Sequence, residues 1–494
     1  MRNNDLEFND VMIGYSALDQ WEDAYFYNEN ACVITAVPDM KMLFTENRYR
    51  DYNRRKLKNV KEGQMGFAAV DNLIKVVRSG FEKIKDHRAA NVSISLTDAL
   101  MSGFALFALK DSSLLEFDER RAKDENLKQI YKLEQVPSDS QMRTIVDEVD
   151  PLEIRPVYQT ILNGMEERSI LDQMKYMGKY DLLSVDGTEH YNSEKVHCPS
   201  CLIRNKRNGV VSYRHQLLGA TIVHPDCKAV IPLAPEPIIK QDGQTKNDCE
   251  QNAAKRLFAQ IRADHPKLPL IVVEDALSPN APHLRMLKGH NLRFIIGVKE
   301  GDHAFLFEQV RAKHKAGESG QWEERAKGIT HRFRFINQVP LNESNPDVLV
   351  NFLEYWEIKG DEVQHFCWVT DFIRYDWNVL AIMRGGRARW KIENETFNTL
   401  KNQGYHFEHN FGHGKLNLAV NFVHLMMLAF LVDQVQQLAD ALFQAVLKKE
   451  GSRKRLWAHM RALFYTLNFS SMADIFKALL YGYTVDQVTI LGPA

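Results

Sequence analysis

The order of short apolar runs between residues 180 and 301 limits the fold more than any other feature of this chain. Strand-like segments read "YDLLSVDG" (180–187), "GVVSYRHQLLGATIV" (209–223) and "KAVIPLAPEPI" (228–238). A helical pattern follows in "KNDCEQNAAKRLFAQIRADHP", where Ala254, Leu257, Phe258 and Ile261 share one face. "LPLIVVEDA" (268–276) is a compact apolar run of the kind buried on both faces of a sheet. A short helix, "PHLRMLKGH", and another strand, "RFIIGVKEG" (293–301), complete the series.

Three strands, a helix, a strand, a helix and a strand is the order of an α/β, RNase-H-like core. In an open α/β sheet, functional groups gather near strand ends, and Asp186 and Asp275 both close strand-like runs. Residues 302–375 turn to β again ("HRFRFINQVPL", "VLVNFLEYWEI", "VQHFCWVTDFI") and read as an inserted β-subdomain. The stretch "RWKIENETFNTLKNQGY" (389–405) then reads as an amphipathic helix. At about 100° per residue, Ile382, Met383, Trp390, Phe397 and Leu400 fall on one side. Glu393 lands near the middle of that side with Arg389 close by, while Glu395 points towards solvent. A carboxylate on an apolar face is costly unless a cation meets it. Either Glu393 is a buried ion-pair partner of Arg389, or it joins Asp186 and Asp275 in one cluster. Three converging carboxylates cannot all stay ionised without cations between them. Mg²⁺ (or Mn²⁺) suits such oxygen ligands, and two ions about 4 Å apart serve in-line phosphoryl displacement.

The flanks are helical. Residues 66–175 hold several short helices, one of them starting at "VPSDSQMRTIVDEVDP" with Ser138 or Asp139 as its cap. They form either a helix-turn-helix-like reader of DNA ends or a plain packing module. Residues 1–65 have no assignable role beyond the basic, tyrosine-bearing run "NRYRDYNRRKLKNVK", a solvated face or a DNA-backbone contact. Residues 176–301 and 376–435 make the two parts of the core, and 436–494 a helical C-terminal region. A net charge of −1 over 494 residues confines any nucleic-acid contact to local patches. Six cysteines suggest a reducing cytoplasm, and the acidic N-terminus has no apolar core of a signal peptide. "ALMSGFALFAL" and "LMMLAFLVDQV" are too short or too interrupted to span a bilayer and read as buried helices, so no membrane is expected. "HCPSC" places Cys198 and Cys201 as a CxxC pair, either reduced thiols or half of a zinc site completed from Cys227, Cys249, His215 or His224. The histidines of "GYHFEHNFGHG" read as turn and surface residues, or as contacts to DNA phosphates.

"LLSVDGT", "VVEDALSPNAPHLRML", "RFIIGVKEGDH" and "RWKIENETFNTLKNQGYHFEHNFGHG" resemble the DDE transposases of bacterial insertion sequences, in the group with a β-domain inserted between the second Asp and the Glu. The likeness covers residues 95–435. It implies Asp186, Asp275 and Glu393 as the metal-binding catalytic triad. It also implies a Tyr-Arg-Glu-Lys signature, of which Arg389 and Glu393 are present. Gly386 stands at the Tyr position, and Leu400 at the Lys position with Lys401 one residue late. The implied reaction is metal-dependent DNA cleavage that frees a 3′-OH, followed by strand transfer. Arg384, Arg387, Arg389, Lys391 and Lys401 would then contact DNA phosphates. Implied partners are the double-stranded element ends and target DNA, bound by a homodimer. A DNA-gripping remnant without catalysis and an RNase-H-like nuclease without strand transfer are the competing readings.

Overall fold

The computed structural model describes residues 63 and 66–484, apart from 90, 122, 123, 241–248 and 277. The basic run at 47–61 lies outside the described residues, as does the N-terminal stretch before it. Residues 66–484 belong to one compact unit.

Among the described residues, six α-helices precede the sheet: α1 (Val70–Phe81), α2 (Leu96–Ala108), α3 (Leu114–Arg121), α4 (Glu125–Ile130), α5 (Asp139–Asp147) and α6 (Arg155–Glu167). Ser138 is the cap of α5; its hydroxyl accepts from the Gln141 N–H and the Gln141 side chain answers to the Ser138 N–H. This reciprocal pairing satisfies two amides that the first turn leaves open. The sheet follows, with β1 (Lys175–Tyr176), β2 (Tyr180–Ser193), β3 (Leu202–Asn205), β4 (Val211–Val223), β5 (Ile231–Pro232) and β6 (Glu236–Ile238). Next come α7 (Glu250–Asp264), β7 (Leu270–Glu274), α8 (Ala281–Gly289), β8 (Arg293–Gly297) and α9 (Ala304–Lys315). Strands β9 (Gly320–Ala326), β10 (Ile329–Asn342), β11 (Asn345–Lys359) and β12 (Glu362–Thr370) precede α10 (Val379–Arg387) and α11 (Asn398–Asn402). The described residues close with α12 (Leu418–Ala439), α13 (Ala441–Glu450), α14 (Arg453–Thr466) and α15 (Met472–Tyr481).

The result is a mixed α/β protein with helices at both ends and one large mixed sheet ordered β3-β4-β2-β7-β8-β12-β11-β10-β9. Pairing is antiparallel from β3 to β2, parallel across β2, β7 and β8, and antiparallel from β8 outward. Every residue of β7 is buried, as the apolar run implied for a strand covered on both faces. The β-rich stretch after residue 302 is continuous with this sheet, because β12 pairs with β8 at Trp368 and Gly297.

Two local features differ from the sequence reading. Strand β2 does not stop at Asp186 but runs on to Ser193, since β4 is long enough to pair with it throughout. Residues 304–315 form a helix, not β structure, with Leu306, Phe307 and Val310 buried on one face.

The two most apolar runs lie in α2 and α12, and both are buried. Of the helices among the described residues, Leu418–Ala439 is long and apolar enough to cross a bilayer, yet it is enclosed along its length by the rest of the protein. It also carries Asp433, whose carboxylate accepts from Lys110 Nζ at 2.5 Å and from the Tyr405 hydroxyl at 2.5 Å. Lys110 is itself buried, with its ammonium 4.0 Å from the centre of the Trp457 ring. A pair this enclosed must be satisfied at both ends, because a lone buried charge is expensive.

Candidate functional site

Strand register brings the two aspartates together. The parallel pairing that sets Asp181 beside Leu270 and Ser184 beside Val273 places Asp186 opposite Asp275 when carried two residues further. Neighbouring strands lie about 4.8 Å apart, and paired residues of parallel strands face the same side. Asp186 is therefore within the strand and Asp275 just beyond the end of β7, both half-buried.

The Glu393 segment crosses this face of the sheet. The Ser184 hydroxyl donates to the Arg389 carbonyl at 2.8 Å, fixing the segment above β2. Asp186, two residues along the same face, then meets the next turn. Arg389 Nη1 stands 2.6 Å from Glu393 Oε1 and 3.6 Å from Asp186 Oδ2, so one guanidinium bridges two of the three carboxylates. On β4, Gly219 pairs with Asp186, and a Cβ there would lie 2.9 Å from the Phe397 ring. The missing side chain at Gly219 is what lets the segment pack this close to the strand.

Burial pushes the Asp186 carboxyl up to about 7, opposed by Arg389 and reinforced by the charges of Glu393 and Asp275. A further acid completes the surroundings. Glu250, first residue of α7, brings its carboxylate against Gly187, where a Cβ would fall 2.1 Å from Glu250 Oε1. Desolvation, then the charges of Asp275 and Glu274, hold the Glu250 carboxyl above its ordinary range. Its place could not be read from the sequence, where it is one acid among many at a helix start.

Glu393 itself is not buried as its position on the helical wheel implied; its side chain is 49% exposed. The backbone explains the difference. Residues 388–390 are a tight 3₁₀ turn and 392–397 a widened π turn, so successive residues do not advance by 100°. Ile392, Thr396, Phe397 and Leu400 take the inner face, Trp390 is largely out of it, and Glu393 projects from its edge.

A cleft of about 500 Å³ opens beside Asp275 and Arg389, with Lys299, Arg387, Phe366 and Trp390 in its walls. Arg387 lies over the Phe366 ring and is ion-paired with Glu357. Lys391 donates to the Cys227 carbonyl at 2.7 Å, Lys401 pairs with Glu408 at 3.1 Å, and Arg384 pairs with Asp226 at 2.6 Å. Of the basic residues singled out from the sequence, Arg389 and Arg387 are the ones that line the cleft.

Cys198 and Cys201 come together with His215 and with His413, a residue of the "FGHG" turn that the sequence reading left on the surface. Cys227, Cys249 and His224 stand outside this group.

No family model and no curated protein matches the chain. Among solved structures it is similar to the piggyBac transposase in a cryo-EM synaptic complex with hairpin DNA. The identity is 10%, the match covers 86% of this chain and 82% of that one, and the TM-score is 0.36.

Proposed function

We propose that this protein is a DNA transposase that cleaves and rejoins DNA ends, with Asp186, Asp275 and Glu393 as its catalytic acids. The observation that carries the reading is the register of β2 and β7, whose last pair, Ser184 with Val273, lies two residues short of both aspartates, together with the Arg389 contacts to Asp186 and Glu393. The short strands β5 and β6 paired to β4, β4 antiparallel to β2, and β7 and β8 parallel to β2 support an RNase-H-like core, with β9–β12 as an insertion between Asp275 and Glu393.

The donor set fits hard divalent cations. It is all carboxylate oxygen, and Arg389, which now stands between Glu393 and Asp186, would have to swing aside for an ion to reach both. Two Mg²⁺ or Mn²⁺ ions held by Asp186, Asp275 and Glu393 would supply Lewis-acid activation of the attacking oxygen and of the leaving one. The chain's own residues do the positioning. Arg389 and Arg387 neutralise phosphate at the cleft, and Lys299 adds charge to its far wall. Trp390, 42% exposed at the rim, offers a face on which a base can stack. The substrate is double-stranded DNA, both element ends and target. The protein acts as a homodimer on that DNA, in the bacterial cytoplasm.

Incubation of supercoiled plasmid with protein and Mg²⁺ or Mn²⁺ should yield nicked circles. Asp275→Asn should abolish nicking and leave DNA affinity in a gel-shift assay nearly intact. Nicking at the parental rate by Asp275→Asn would refute the assignment. Binding without nicking by the parent would favour the remnant, and nicked products that never become joined would favour a simple nuclease.

A further inference from the structure

We propose that Cys198, Cys201, His215 and His413 bind one zinc ion in a closed structural site that ties the segment after Glu393 to the core sheet. The inference rests on this donor set alone and stands whether or not the chain cleaves DNA.

The four ligand atoms are already gathered. Cys198 Sγ and Cys201 Sγ are 3.9 Å apart, and His215 Nε2 lies 3.5 and 3.4 Å from them. His413 Nε2 is 3.2 Å from Cys201 Sγ and 3.1 Å from His215 Nε2. Zn–S bonds of about 2.3 Å and Zn–N bonds of about 2.0 Å at tetrahedral angles require ligand atoms roughly 3.3–3.8 Å apart. The observed spacings centre on that range. They do not describe a disulfide, whose sulfurs sit about 2.05 Å apart.

The surroundings are also those of a zinc site. All four side chains are buried, so no coordination position faces solvent, as in structural sites and unlike catalytic ones. His413 Nδ1 donates to the Gly414 carbonyl at 2.9 Å, which leaves the Nε2 lone pair aimed at the cluster. The Cys198–Cys201 turn is closed by the Cys201 N–H donating to the Cys198 carbonyl at 3.2 Å. The Cys198 N–H in turn donates to Cys201 Sγ at 3.5 Å. Two thiolates and two imidazoles select zinc over the hard cations that suit the carboxylate cluster.

The ligands come from distant parts of the chain. Cys198 and Cys201 lie in the loop from β2 to β3, His215 on β4, and His413 in the turn leading to α12. An ion there fastens the far end of the β2–β4 hairpin to the chain that has just left the Glu393 segment.

Elemental analysis of protein purified without chelator tests this. The parent should hold one zinc per chain. Cys201→Ser and His413→Ala should fall to near none, while Cys249→Ser, an exposed cysteine outside the cluster, should keep it. Asp186→Asn should also keep its zinc, which separates this site from the carboxylates. Should the ligand variants fail to fold, mercurial titration of the folded parent decides, with one zinc released as the two thiols react. A parent with no zinc, a Cys198–Cys201 disulfide found by mass spectrometry, or full zinc retention by folded His413→Ala would each overturn the proposal.

Discussion

Gly219→Ala is a small change placed where the fold and the proposed chemistry meet. The new methyl carbon would stand 2.9 Å from Phe397 Cζ and 3.1 Å from Cε1, against a comfortable carbon–carbon contact of about 3.7 Å. Phe397 must therefore withdraw by roughly 0.8 Å, and overpacking of this kind costs about 1–3 kcal/mol. Phe397 belongs to the π turn that carries Glu393, four residues before it, so a retreat taken up by the backbone displaces the acid as well. A misplacement near 1 Å can lower a rate by about 10²-fold. The expected result is a lower midpoint of thermal unfolding, plasmid nicking reduced by one to two orders of magnitude, and unchanged DNA affinity. Gly219→Ala combined with Phe397→Leu, which clears space, should recover part of the nicking rate lost in Gly219→Ala. Parental stability and nicking in Gly219→Ala would refute the claim that the bare backbone of β4 sets the height of the Glu393 segment.

Other expectations follow from charges the fold encloses. Lys110→Met should cost about 3–5 kcal/mol by stranding Asp433, whereas Lys110→Met with Asp433→Leu should cost much less; chemical denaturation of both variants checks this, and additive losses would argue against a coupled pair. Asp186, with its carboxyl raised to about 7 from an unfolded value near 3.8, binds more protons folded than unfolded between those limits. Its contribution is thus complete below about pH 4 and lost as pH rises to 7, by up to about 4 kcal/mol before solvent screening. Without divalent cations, Asp186→Asn should therefore gain stability relative to the parent at pH 8 and not at pH 4, as read from unfolding midpoints at the two values.

The order of strands and helices from 180 to 301 was legible because each apolar run is bounded by turn residues and has a length suited to its element. The expectation that Asp186 stands near Asp275 came from that order, and the β2–β7 register ends two residues short of both. The exposure of Glu393 was not legible, because helical-wheel reasoning assumes a uniform 100° step that a 3₁₀ turn followed by a π turn breaks. Helix α9 was hidden beside strongly alternating strands, its three buried positions giving only a short helical signal. Glu250 and His413 were beyond reach for a different reason. Each acquires its neighbours only by tertiary contact, Glu250 against Gly187 and His413 against residues some two hundred positions earlier. The CxxC pair was visible, but its histidine partners had no diagnostic spacing.

The excursion through β9–β12 also bears on how the molecule comes into being. The sheet grows outward from β8 to β9 and returns through β12 before the chain reaches residue 389. During synthesis the two aspartates can be paired while the glutamate is still in the ribosome. A half-made chain of this kind would lack Arg389, the cation that stands between Asp186 and Glu393. Such pairing across long stretches of sequence folds slowly, so under the proposed function the capacity to cut DNA would arrive late, once the sheet beneath residue 389 is complete.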